Sequence, residues 1–288
     1  MRRHLTRDRT TAAFYAASGL AFILYPALRP YGPEAGPEGA ADFASTAWLA
    51  SHALGMAGFT LLAFGLRAAA GSRAAGADRT SSAGSGTAGP GRAAHPVSEG
   101  PPRPGRAMEA WSWTAVVLLL PYYGVEAYGL NELGRYAVDT GDPAVLSIAD
   151  AFRYAPFAMT TFGLGLACLA VVGVQFARAL LSSGPLARWG GVLAGSALAL
   201  YLPQFFAPAG LRIAHGAVLC AGLLLAAVAA WRAGAPRAGA PRNEPPQDGT
   251  ARNRTPQSGP GTGYLPRSFA SKRSSASSPA ATPPGTRR

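Results

Sequence analysis

The chain has 288 residues, of which 49% are hydrophobic and only 14% are charged, and its formal net charge is +12. About a quarter of the residues of a soluble domain are charged, so this composition excludes an ordinary soluble protein. The basic residues lie in tails and loops that flank apolar blocks, without the interleaved aromatic and basic residues of a nucleic-acid-binding surface. We therefore expect no nucleic-acid partner and anionic phospholipid head groups as the partners of the basic segments.

The first apolar blocks predict a transmembrane hairpin at residues 12–66, preceded by a basic N-terminal segment at residues 1–11. The first block ends near Leu28 and lacks the small residues of a signal-peptide cleavage site, so we interpret it as a short first span. The second span is predicted at Ala44–Leu66. Residues 67–106 are rich in Gly, Ala, Ser, Pro and Arg, which predicts a disordered cytoplasmic linker.

Four more spans are predicted within residues 107–231. Their predicted bounds are Ala110–Leu130, Ala155–Leu181, Trp189–Pro208 and Leu211–Trp231. Residues 232–288 contain almost no large apolar side chains and predict a disordered basic tail. The predicted fold class is therefore all-α: a polytopic integral membrane protein, built as a bundle of six transmembrane helices with a disordered linker and tail.

The charge distribution predicts the orientation of this bundle. The segments that six spans place on the inner side hold 22 of the 26 Lys and Arg residues, and without the tail the ratio of inner to outer is still 12 to 4. The positive-inside rule therefore predicts that both termini are cytoplasmic. The abundance of Arg, Ala, Gly and Pro is typical of a GC-rich bacterial genome, so the predicted location is a bacterial plasma membrane.

Small residues at a spacing of four predict close helix packing. The pairs are Gly163 with Ala167 and Gly191 with Gly195. The two cysteines each lie alone within an apolar block, so they predict small packing residues rather than a disulfide or a zinc site.

Three ionisable residues inside the predicted spans are the candidate site: His52, Glu126 and His215. In the predicted topology all three lie in the outer half of the membrane, roughly 4 to 10 Å from its midplane. Ionisable groups at such depths are costly and are functional candidates by default. Two histidines and a carboxylate could hold a divalent metal or relay protons, and two facing histidines could ligate a haem iron.

A purely structural explanation stays open for the same residues. Each could hydrogen-bond across helices, and Arg212 could pair with Glu126 to join two helices. No catalytic motif accompanies the three, so the sequence does not predict an enzyme.

The functional hypothesis from sequence is a multi-pass membrane protein that binds a cation, a small polar ligand or haem in this outer-half cluster. One alternative is a small transporter or proton-coupled permease, although the almost wholly apolar inner halves of the spans count against a continuous pathway. Another is an accessory or structural subunit whose small-residue faces contact a membrane-protein partner or a second copy of the chain.

Overall fold

The computed structural model describes residues 2–83 and 104–233, with side chains described for 8–71 and 105–233. Within these ranges the chain is helical and contains no strand, which confirms the all-α prediction. Four of the described helical segments are long and apolar enough to cross a membrane. They are Asp8–Leu28, Thr46–Gly71, Pro156–Leu181 and Ala209–Ala233.

The described residues form nine α-helices. These are α1 (Arg2–Leu28), α2 (Gly36–Ala44), α3 (Thr46–Ala83), α4 (Pro104–Gly124), α5 (Leu130–Thr140), α6 (Ile148–Arg153), α7 (Pro156–Leu181), α8 (Pro185–Ala199) and α9 (Ala209–Ala233). A π-helix at Val125–Gly129 joins α4 to α5, and 3₁₀ helices lie at Pro143–Ser147 and Pro203–Phe206.

Six of these helices form a closed ring, in which each packs against two others. Going round the ring, the order is α1, α3, α4, α7, α8 and α9, and α9 packs back against α1. Two members of the ring, α4 and α8, are not among the four candidate membrane spans. The 15-residue α8 is too short by itself, and α4 carries Glu109 and Pro121 within its 21 residues.

Aromatic side chains fill the middle of the ring. Phe22 of α1 packs edge-on against Phe59 of α3 with ring centroids 5.0 Å apart, and Phe59 contacts Tyr123 of α4 and Tyr201 after α8, each at 5.3 Å. All four side chains are buried. We call these four residues the aromatic layer. Edge-to-face pairs stabilise such a core beyond the burial of their area.

Glycines let the helices of the ring approach closely at defined points. A methyl group added to Gly173 of α7 would lie 2.5 Å from the carbonyl oxygen of Gly195 in α8, and one added to Gly191 would lie 2.7 Å from Leu180 Cβ. The prediction of close packing at Gly191 and Gly195 is confirmed. The prediction for Gly163 is wrong, because no atom lies within 4 Å of the corresponding position and this part of α7 borders a cavity.

One end of the ring is covered by α2, α5, α6 and the 3₁₀ helix at Pro143–Ser147, which we call the cap. The cap has its own apolar core, in which Phe43 and Trp48 pack at 4.6 Å between ring centroids. Asn131 of α5 is buried and donates a hydrogen bond of 2.7 Å to the carbonyl of Phe43 at the end of α2. From sequence, residues 29–43 and 131–154 are predicted as outer loops, with a short amphipathic helix near residues 146–153. The structure has that helix as α6 and adds α2 and α5.

The predicted linker at residues 67–106 needs a correction at both ends. The third helix continues to Ala83 and the fourth begins at Pro104, so only residues 84–103 remain of that prediction, and they lie outside the described residues. Alanine has the highest helix propensity, and alanines recur after Arg67, which extends the helix beyond its apolar part. Residues 234–288 of the predicted tail also lie outside the described residues. Both cysteines are free and buried, as predicted.

Candidate ligand-binding cavity at the capped end

Glu126 lies where the backbone leaves the regular α-helix. It belongs to the π-helix Val125–Gly129, which follows Pro121 in the same continuous helix. A π-helix widens one turn and occurs frequently at functional sites. The indole Nε1 of Trp48 in α3 donates a hydrogen bond of 2.6 Å to the carbonyl oxygen of Glu126. This contact fixes the irregular turn against α3.

His52 lies one turn after Trp48 on α3 and is only 2% exposed. Its Nδ1 lies 2.8 Å from the carbonyl oxygen of Trp48. Because a carbonyl only accepts, we assign the ring proton to Nδ1, which leaves Nε2 as an acceptor in the neutral imidazole. Nε2 lies 3.7 Å from Glu126 Oε2, so two acceptors face each other. They are too far apart for a direct hydrogen bond, so a bridging donor is needed to satisfy both.

Arg153 at the end of α6 is the main partner of Glu126. Its Nε donates to Glu126 Oε1 at 2.6 Å and an Nη atom donates to Oε2 at 2.9 Å, which is a bidentate pair. The other Nη atom donates to Glu34. Burial lowers the pKa of Arg153, but the hydrogen bonds and charges of Glu126 and Glu34 outweigh it and raise the pKa above its usual value. The guanidinium therefore stays charged.

Arg29, directly after α1, completes a chain of charged side chains. It donates a hydrogen bond of 2.8 Å to Glu34, and its guanidinium lies 4.9 Å from the centre of the Trp48 ring. Its Nε is buried and has no hydrogen-bond partner. Arg29, Glu34, Arg153 and Glu126 therefore form a continuous series of ion pairs, which ends beside the neutral ring of His52.

His215, the third predicted site residue, has other partners. Its Nε2 lies 2.8 Å from the carbonyl oxygen of Ala197 in α8, and its ring packs edge-on against Tyr201. In the described parts of the chain, no three His, Cys, Asp or Glu side chains are grouped so that they could hold a metal ion. The structure thus joins His52 to Glu126 but not to His215, and the metal and haem hypotheses stay predictions.

Arg212 in the first turn of α9 also differs from its predicted partner. Its Nε donates to the carbonyl of Ala207 at 2.8 Å, and an Nη atom donates to the carbonyl of Phe205. Within the described residues it forms no ion pair, so the prediction that it pairs with Glu126 is wrong; Arg153 takes that place. No spacing in the sequence relates Arg153 to Glu126.

These charged groups line one cavity of about 350 Å³ beneath the cap, which we call the polar cavity. Its charged lining consists of Arg29, Glu34, Glu126, Arg153 and Arg212. The rest of the lining is mainly aromatic, and includes Tyr123, whose buried hydroxyl lies beside those of Tyr25 and Tyr201. Buried polar groups are nearly always paired, so the unpaired Nε of Arg29 in the same wall indicates a place where a ligand or water binds.

The fold and the cavity together define a helical protein with membrane-spanning candidates and a buried charged site under a helical cap. Comparison of the chain with known protein families, with curated proteins and with solved structures gave no match.

Proposed function

We propose that this chain is a six-span protein of a bacterial plasma membrane that binds a small ligand with an anionic group in the polar cavity. The observation that carries the proposal is the excess of positive charge and of hydrogen-bond donors in the cavity wall. Three arginines face two glutamates, Arg29 Nε is an unpaired donor, and Arg212 donates only to carbonyls and lies over the ring of Tyr31. A carboxylate or phosphate supplies the missing acceptors. A cation would face a wall with more positive than negative charges, which disfavours its binding.

Aromatic side chains support a ligand with an apolar or aromatic body. Tyr122 and Phe162 lie stacked with ring centroids 4.1 Å apart, and Phe205 packs edge-on against Phe162. All three line the polar cavity. A few charged groups in a mainly apolar and aromatic wall are typical of a small-molecule site.

The six-span topology has two supports. The α4 and α8 helices close the same ring as the four candidate spans, and an even number of spans agrees with basic segments at both ends of the chain. The capped end, with the polar cavity, then faces outward. The cytoplasmic basic segments contact anionic lipid head groups.

Binding of radiolabelled benzoate to the purified protein in mild detergent tests the proposed ligand class. Benzoate combines a carboxylate with a ring that fits the aromatic wall. We expect saturable binding, and Arg212→Gln should weaken it about tenfold to a hundredfold, since a hydrogen bond to a charged group contributes about 1.5–3 kcal/mol. Arg29→Gln provides a second test if Arg212→Gln does not fold. Arg135→Gln, an exposed cap residue outside the cavity, is the control. Equal binding by all variants, or none by the wild type, would refute the proposal.

Transport is a second candidate, because another cavity of about 430 Å³ lies at the opposite end of the ring. Its lining includes Asp8, Thr11, Ser183 and Arg232, so polar groups do reach that end. The aromatic layer separates the two cavities, an arrangement that suits alternating access. Uptake of benzoate into proteoliposomes, abolished by Arg212→Gln, would favour transport over binding alone.

A further inference from the structure

A third cavity, which is apolar, adjoins the polar cavity and opens between α4 and α7. Its volume is about 320 Å³, and we call it the α4–α7 groove. Its apolar lining includes Val117, Leu118, Pro121, Phe157, Ala158 and Thr161. Tyr122, Glu126 and Arg153 line both cavities. The charged site and the apolar groove therefore share a wall, and the Glu126–Arg153 pair lies at the junction.

The mouth of the groove is apolar and open. Val117 is 67% exposed and Phe157 is 81% exposed, and Val125 and Phe152 beside them are also exposed. Contiguous exposed apolar surface of this kind marks a membrane or ligand contact. In the proposed topology these residues face the outer leaflet of the bilayer, so the groove leads from the lipid to the charged site.

We propose that the site takes a single-chain anionic amphiphile from the outer leaflet, with its carboxylate or phosphate head in the polar cavity and its alkyl chain in the α4–α7 groove. This inference rests on the proposed function and names its ligand class. The head has a donor available at Arg29 Nε, and the guanidinium of Arg212 has no carboxylate partner among the described residues. A single groove meets the charged site, between α4 and α7. It accommodates one alkyl chain, so a phospholipid with two chains would leave one of them outside.

The two ends of such a ligand need different surroundings, and the two cavities provide them side by side. A buried anion needs charged or polar hydrogen-bond partners, whereas an alkyl chain is favoured by an apolar wall. Neither cavity alone distinguishes an amphiphile from a small anion or from a bilayer lipid. The two cavities together, which share a wall at Glu126 and Arg153, favour an amphiphile over both.

Photo-crosslinking with palmitate that carries a diazirine in its alkyl chain tests this inference. The full-length protein is placed in phosphatidylcholine nanodiscs, irradiated, and mapped by peptide mass spectrometry. We expect crosslinks concentrated in residues 117–125 and 152–161. Palmitate should compete for them at least tenfold better than hexadecanol, which has the same chain without the charge.

Two variants test the contribution of the ligand's anionic head separately from that of its alkyl chain. Arg212→Gln should lower labelling about tenfold through the head. Ala158→Phe, which fills the groove, should lower palmitate labelling at least tenfold and benzoate binding much less. Ala167→Phe places the same side chain at an exposed position of α7 outside both cavities, and it should label as the wild type does.

The outcomes distinguish failure of this inference from failure of the proposed function. Labelling spread over all exposed helices, with equal competition by palmitate and hexadecanol, would show contact with surrounding lipid only and overturn the inference. If benzoate still binds in that case, the small-anion site stands without the alkyl chain. If benzoate and palmitate both fail to bind specifically, both proposals are wrong.

Discussion

Removing the Arg153 guanidinium while leaving Glu126 in place should be among the most destabilising single changes in the protein. Glu126 and Arg153 are both buried, and Arg153→Met would remove two charged hydrogen bonds, of 2.6 and 2.9 Å, from the carboxylate. The nearest remaining ionisable group would be His52, whose Nε2 lies 3.7 Å away and is itself an acceptor. Loss of one partner from a buried ion pair costs about 3–5 kcal/mol. We expect a loss of this size in the free energy of unfolding.

The measurement is reversible unfolding by sodium dodecyl sulfate in mild detergent, followed by circular dichroism. Arg135→Met is the matched control, because Arg135 in the same cap is 62% exposed and lies 4.0 Å from Glu132. An exposed pair of this kind contributes at most about 1 kcal/mol. If Arg153→Met destabilised the protein no more than Arg135→Met does, the buried network would not hold the cap to the ring.

A double-mutant cycle checks that the loss comes from the unpaired carboxylate. Glu126→Gln combined with Arg153→Met removes both charges, so the double variant should be more stable than the sum of the single losses predicts. Groups that share one network couple by about 0.5–3 kcal/mol. Additive losses would indicate that Arg153 acts through packing on the cap and not through Glu126.

Two further predictions concern helix packing and topology. Gly173→Ala should destabilise the protein by about 1–3 kcal/mol, because the added methyl group would meet the backbone of Gly195, whereas Gly163→Ala meets open space and should be neutral in the same unfolding assay. Cysteines placed at Ser85 and Asp139, in a background without the native cysteines, should react oppositely with a membrane-impermeant thiol reagent in intact cells; equal reaction at both positions would contradict the six-span topology.

Much of the ring could be predicted from the sequence because membrane helices are defined by local apolar composition. The end of α1 at Leu28 agrees with the prediction, and the spacing of Gly191 and Gly195 predicted close packing there, although not that the partner helix is α7. The extension of α3 to Ala83 was not predicted, because a low-complexity composition outweighed the helix propensity of its alanines.

The candidate site was only half predictable. An ionisable side chain in an apolar run is visible in the sequence, which is why His52 and Glu126 stood out. The main partner of Glu126, Arg153, comes from the cap, and Glu34, which Arg153 also contacts, is 119 residues away from it. Such pairing depends on how the cap helices fold over the ring, which no local pattern records. The polar composition of the cap predicts loops with one short helix near residues 146–153, which is found as α6, whereas α2 and α5 were not predicted.

The contact between α9 and α1 bears on the order in which the protein is assembled. Arg9 of α1 lies over the ring of Trp231 near the end of α9, 5.0 Å from its centre. The α1 helix therefore gains one of its two ring neighbours only after α9, much later in the chain, has been made. Contacts between distant parts of a chain form slowly. Until α9 arrives, one flank of α1 remains open to lipid or to another protein during biogenesis.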